Sequence, residues 1–375
     1  MTNKKIKGSE LYLMKIGART FKTSIAVFLS LLITITIGFE EGASLAGISV
    51  VASMQPSVKK SYNTLVDRLV ANTLGGFVAV LMASAFGTSL VIISFATAIL
   101  IALLHQMKLN NVIGLSTMTL IIIMLSTDGD ILTNATVRVL ATFIGVVVAF
   151  VINRFILPPN YEEKLFHLTN RVTDDLTRFT RVSLRKNVQY SLMRADLISI
   201  ENSIMDMKKM LVLLQDTQWS RWFRRKDIPV TRLLVVYRQF IRTTESAYNL
   251  VKTLHHSENV YNHFPEELRV LLRERLETLM SAHEQIILKW NGRILPKEVN
   301  FIAYKADLRI TFMQSFFNEA SLESYLENDY GQSNTVIHLM SAVLIYEENL
   351  QHLNKLVSSF KINHKDNVST VRSLH

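Results

Sequence analysis

Cysteine is absent from all 375 residues. That excludes a thiol nucleophile, a disulfide and a thiolate metal site. Other chemical signatures are missing too. There is no Walker A loop, no GxSxG, and no GxGxxG ahead of a helix. His255 and His256 are adjacent, so on a helix they point about 100° apart and form no metal pair. His283-Glu284 does not continue to HExxH. The sequence therefore predicts no enzyme, with no catalytic residue, no metal and no cofactor. Transport, if any, would draw on ions, the membrane potential or an assisting protein rather than on ATP bound to this chain. The N-terminus lacks a signal-peptide cleavage pattern, so the first helix is expected to stay as a signal anchor.

The net charge is +10, yet no stripe of bases carries interleaved aromatics. A nucleic-acid partner is not expected. The excess fits loops that face anionic membrane lipid.

What the chain does have is apolar length. Mean hydropathy is +0.22, an average over two unlike halves. Six apolar stretches occupy roughly 16–39, 42–55, 69–86, 89–104, 112–125 and 133–157. Helices are the economical way to cross lipid with such runs, because every backbone group must bond internally. The connecting charges alternate in sign. Lys4, Lys5, Lys7, Lys15, Arg19 and Lys22 precede or open the first stretch, and Glu40 and Glu41 follow it. Lys59, Lys60 and Arg68 follow the second, Lys108 the fourth, Asp128 and Asp130 the fifth, and Arg154 and Lys164 the sixth. Placing the basic loops inside gives six crossings of the cell (plasma) membrane with both termini cytoplasmic.

The apolar half repeats itself. Arg68, Ala71 and Gly75 recur as Arg138, Ala141 and Gly145, an offset of 70 residues. A three-helix unit used twice would place its second copy upside down, since three is odd. Such 3+3 inverted repeats hold their substrate path at the repeat interface. Stretches two and five are both short and both run into polar sequence, Ser53–Thr64 and Ser126–Asn134, as broken helices at binding sites do. Tilted or interfacial helices are an equal reading of the same pattern.

Arg138 lies deep enough in the sixth stretch that such a charge usually faces a polar cavity, with snorkelling or pairing with an acid as the alternative. Arg68 lies closer to a membrane surface, where snorkelling or pairing with a neighbouring acid is the simpler expectation. Inversion would set one guanidinium towards each mouth, which favours an anion with carboxylate geometry. The substrate-path candidates are Arg68, Arg138, Gln55, Asn72, Ser53 and Thr117. Ser and Thr in apolar helices commonly bond their own backbone, so part of that set is structural.

Leu157-Pro158-Pro159-Asn160 marks a boundary. Beyond it apolar residues follow 3–4 spacing, as in Leu268, Leu272, Leu276, Leu279 and Ile286, and in Leu339, Val343, Tyr346, Leu350, Leu353 and Val357. Pro265-Glu266-Glu267 reads as a helix start and Asn291-Gly292 as a stop. The predicted fold is all-α, a polytopic membrane protein. A six-helix transmembrane domain (1–157) precedes a cytosolic antiparallel helical bundle of about six helices (158–361) and a disordered tail (362–375). The Trp- and Arg-rich run 218–226 suits a headgroup anchor, an anion-binding lip or a solvated loop.

The run SMQPSVKKSYNTLVDRLVANTLGG at 53–76, echoed at Arg138 and Gly145, resembles the aromatic acid exporter family, within the wider fusaric-acid-resistance-like group. The resemblance covers nearly the whole chain. It implies an efflux protein for small aromatic carboxylates in the inner or plasma membrane. Larger relatives carry two such cassettes, which implies a homodimer here. Plant aluminium-activated malate channels look related. An exporter of small organic anions is the leading expectation. A passive anion channel and a non-transporting scaffold or sensor stay open beside it.

Overall fold

The computed structural model describes residues 18–126, 130–156, 160–184, 190–222, 228–296, 306–321 and 330–363. Contacts divide the chain into two compact units, Met1–Pro159 and Asn160–His375. Among the described residues the regular structure is entirely helical.

The first unit runs α1 (Ala18–Thr36), a 3₁₀ turn (Glu40–Gly42), α2 (Ala43–Ser53) and α3 (Val58–Phe86). It continues with α4 (Leu90–Gln106), a 3₁₀ turn (Asn110–Val112), α5 (Ile113–Leu125) and α6 (Ile131–Phe155). The second triplet thus restates the first. The agreement reaches single hydrogen bonds. α1 closes with Gly38 N–H donating to Ile35 O and Phe39 N–H to Thr34 O, both 3.0 Å. Seventy residues on, Lys108 N–H donates to His105 O at 3.0 Å and Leu109 N–H to Leu104 O at 2.9 Å. This is the helix-ending arrangement that needs one left-handed residue. Gly38 (φ 88°) and Lys108 (φ 60°) supply it.

Packing follows the same correspondence. α3 and α6 lie against each other, and each also lies against the short helix of the other triplet. Gly75 of α3 meets Ser116 of α5, where an added Cβ would stand 2.8 Å from the hydroxyl and 3.1 Å from the carbonyl oxygen. Gly145 of α6 meets the Ala46 carbonyl and the Ser49 Cβ of α2. Residues 46 and 116 are themselves 70 apart. Glycine is required at both crossings because backbone approaches backbone.

Helices α1, α3 and α6 are long and apolar enough to cross a bilayer; α4 and α5 are apolar but shorter. α2 has 11 residues, a rise of about 16 Å against a core of about 30 Å. Of six expected crossings, three are therefore supported by single helices of sufficient length and composition. Phe28, Phe77 and Phe95 are 65%, 64% and 62% exposed, an outer surface suited to lipid. The basic stretch after α2 is not a loop. Ser57 accepts from Lys60 N–H at 3.2 Å and caps α3, so Lys59, Lys60 and Arg68 all sit on that helix.

The second unit comprises α7 (Tyr161–Ser183), α8 (Tyr190–Trp222), α9 (Ile228–His256), α10 (Glu258–His263), α11 (Glu266–Trp290), α12 (Ala306–Ala320) and α13 (Tyr330–Asn363). α9 packs on α7, α8 and α13, and α11 on α13, α12 and α7. The periodic positions face inward. Leu272, Leu276, Leu339, Val343, Leu350, Leu353 and Val357 are all buried. Pro265 precedes α11, and Gly292, at φ 73°, follows its end. The Leu157-Pro158-Pro159 boundary, part of the Trp- and Arg-rich run, and residues 364–375 of the expected tail lie outside the described residues.

This unit encloses ionisable groups. Arg275 pairs with Glu347 at 2.5 Å, both buried. Lys361 lies 4.9 Å above the Trp290 ring, and burial brings its ammonium down to about 8. His283 Nδ1 lies 3.0 Å from the Tyr346 hydroxyl, and complete burial lowers the imidazole to about 4. An unfolded histidine titrates near 6.5. Between about 4 and 6.5 the unfolded chain binds the extra proton, so the stability contribution is full above that window and declines as pH falls through it. The second unit is expected to lose roughly 2 kcal/mol between pH 7 and pH 5 through this group. His283→Gln should flatten that part of the pH dependence in thermal melts of the full chain.

Candidate functional site at the break between α2 and α3

α2 stops at Ser53 because Met54 turns extended and Pro56 follows within three residues. A helix end leaves carbonyls without helical donors and carries partial negative charge. Three other helices supply donors to it. From α3, Arg68 Nη1 donates to Ser49 O at 3.0 Å and to Ser53 Oγ at 2.7 Å. From α1, Arg19 Nη2 donates to Met54 O at 3.2 Å. From α6, Asn153 Nδ2 donates to Gln55 O at 2.9 Å and to Ser61 Oγ at 2.7 Å.

Arg68 is 4% exposed, which corrects the snorkelling expectation for this residue. It begins about 15 Å of rise into α3 and turns inward to α2, and no ion pair joins it to Asp67 among the described residues. Its described hydrogen bonds all leave from Nη1. A guanidinium has five N–H donors in a planar fork, so Nε and Nη2 keep the geometry that clasps a carboxylate. Lys22, one turn after Arg19 on α1, is 5% exposed and has no described ion pair.

The other candidates divide. Ser53 joins Arg68 directly. Gln55 takes part through its main-chain carbonyl. Asn72 is buried on α3, with its Oδ1 3.5 Å from Thr119 Oγ1, a loose contact. Thr117 is not drawn to the break; its hydroxyl donates to Ile113 O and Gly114 O of its own helix. Arg138 is half-buried on α6, and Glu41 of the first 3₁₀ turn is the acid that acts on it. No described contact joins it to Arg68. The second break is plainer. There Asn134 Nδ2 donates to Ser126 Oγ at 3.2 Å, while Asp128 lies outside the described residues.

Sequence reasoning overlooked Asn153 and Ser61. Neither falls on a repeat position, and their pairing across 92 residues has no local signature. An asparagine near the end of the most apolar long span was the one available signal. Elsewhere, a hollow on α11 lined by Glu266, Glu267 and Glu274 carries the wrong charge for an anion.

Comparisons with known proteins find relatives of both units. The family described as aromatic acid exporter family member 1 matches residues 14–156, the whole first unit as described. UPF0421 protein YgaE of Bacillus subtilis (strain 168) is 31% identical over 94% of this chain and 97% of its own length. UPF0421 protein OB2406 of Oceanobacillus iheyensis is 25% identical over 78% of this chain and 80% of its own. UPF0421 protein BH2644 of Halalkalibacterium halodurans is 27% identical over 47% and 49%. With a matching family profile on its apolar unit and a relative 31% identical over 94% of its length, the chain belongs to the aromatic acid exporter family of membrane proteins.

Proposed function

We propose that the protein exports small organic anions, aromatic carboxylates foremost, across the cell membrane. The observation that carries this reading is the buried Arg68 of α3 against the end of the half-length α2, with no described hydrogen bond from its Nε or Nη2. A cation in that setting is costly unless an anion or aligned dipoles compensate it. The α2 carbonyls compensate part; a passing carboxylate would complete it. Arg19 and Asn153 border the same break. Ser53, Gln55 and Asn72 would line the path beside Arg68, and Arg138 would serve its other mouth. Thr117, bonded to its own helix, is not assigned to the path.

In this reading the two triplets are inverted copies whose helices complete six crossings, with α2 and α5 as the broken elements of each copy. Both termini are cytoplasmic, as is the second unit, a helical bundle, and lipid covers the outer apolar faces. The protein works as a homodimer. A passive channel would use the same cations and stays the alternative.

Vesicles containing the purified chain and loaded with p-hydroxybenzoate should lose it faster than protein-free vesicles. Equal rates across a panel of aromatic and aliphatic carboxylates would refute export. Steady current down an anion gradient alone, in a planar bilayer, would favour the channel.

A further inference from the structure

We infer that α8 is a self-association surface on which two copies of this chain pair antiparallel, with the two-fold axis at Met205. The inference rests on the homodimer reading above and gives that dimer a contact outside the apolar unit.

α8 buries one face against its own unit. Leu197, Ile200, Ile204, Met207 and Leu214 are all in the core. The opposite face should then be polar, as on any surface helix. It is not uniformly so. Ile198, Met205 and Val212 are each 52% exposed, spaced seven residues apart. A spacing of seven drifts only about 20° per step on an α-helix, so the three form one stripe about 21 Å long. Single exposed apolar residues need no explanation, but an evenly spaced row is the seam that packs one helix on another.

The charges beside the stripe select the occupant and its direction. Glu201 lies four residues before Met205 and Lys209 four residues after it, and both are exposed. Lys208, on the other flank of the stripe, is a second exposed base and pairs with Glu245 of α9. With antiparallel helices crossing at Met205, Glu201 of each copy comes level with Lys208 and Lys209 of the other, and Ile198 with Val212. A parallel pair would set Glu201 against Glu201 and lysine against lysine. The charges now have only weak holders. Lys209 pairs with Asp206 within the helix, 2.9 Å apart and exposed, and Glu201 accepts from the Tyr248 hydroxyl at 3.3 Å. A surface that is its own complement about a two-fold fits a second copy of itself. The stripe covers less than the roughly 1,600 Å² of a stable interface, so it adds to a contact made elsewhere rather than replacing it.

The cysteine-free chain makes the test direct, because any introduced thiol is unique. Full-length protein in detergent would carry Met205→Cys, Ile198→Cys, Val212→Cys, or the last two together, and be treated with a short bismaleimide. Met205→Cys should give covalent dimer. The Ile198 and Val212 singles should give little, and their double variant should give strong dimer. Adding Met205→Glu to the double variant should abolish its dimer band, since two carboxylates would meet at the axis. Equal cross-linking of all three singles would mean parallel pairing and overturn the arrangement. No cross-linking from a chain that still runs as a dimer by light scattering would overturn the α8 surface and leave the homodimer standing. A chain that runs as a monomer would remove both.

Discussion

Arg68→Ala is expected to slow carboxylate efflux about 10–100-fold per folded protein. A charge-assisted hydrogen bond is worth roughly 1.5–3 kcal/mol, and each 1.4 kcal/mol is a factor of ten. The substitution removes the buried guanidinium and frees Ser53 Oγ from it. Arg68→Lys should recover only part of the rate. An ammonium keeps the charge but cannot hold the α2 end and present a planar fork to a carboxylate together. Vesicle efflux with matched amounts of folded protein measures this. Wild-type rates in the alanine variant would remove Arg68 from the path. Loss of folded protein in both variants, with normal rates from whatever folds, would make the residue a helix-end clamp alone.

Gly145→Ala is expected to be the most damaging small substitution in the first unit. The added methyl would collide with the Ala46 carbonyl and stand 2.9 Å from the Ser49 Cβ. Neither belongs to a flexible side chain, so α6 and α2 must separate along their contact. Overpacking of this kind costs about 1–3 kcal/mol when side chains can adjust, and backbone contact places it at the upper end or beyond. The shift would also carry Ser49 and Ser53 away from Arg68. Gly114→Ala is the matched control. That site has open space around it, and replacing a helical glycine with alanine gains up to about 1 kcal/mol. Thermal unfolding in detergent should show a lowered midpoint for the first variant and an unchanged or raised one for the second. Gly145→Leu should yield little folded protein.

These two residues also show what the sequence made legible. The 70-residue echo of Arg68 and Gly75 in Arg138 and Gly145 was visible as letters. In space the glycines make the same kind of crossing, one on Ser116 and one on Ala46. The pattern survives because close helix approach tolerates only glycine. The arginines have diverged. Arg68 donates to the end of α2, whereas Arg138 makes no described hydrogen bond or ion pair. An offset cannot report that, because it carries the residue type and not the partners of the side chain. The start of α3 was also hidden. Lys59, Lys60 and Asp67 lower the hydropathy of its first three turns, yet they are good or tolerable helix residues behind a Ser57 cap. Thr117 stood out in the sequence as a polar side chain, and its hydroxyl bonds its own helix. In the second unit the 3–4 spacing mapped onto the core residue by residue, because one buried face per helix is the whole signal.

The proposed anion path requires the two triplets to lie in opposite orientations. Glu40 and Asn110 are exposed, begin the two 3₁₀ turns, and are 70 residues apart. With Glu40→Cys and Asn110→Cys introduced singly, an impermeant maleimide applied to intact cells should label position 40 at once. It should label position 110 only after the membrane is opened. Labelling of both from the same side would contradict the inversion, and the anion path built on it.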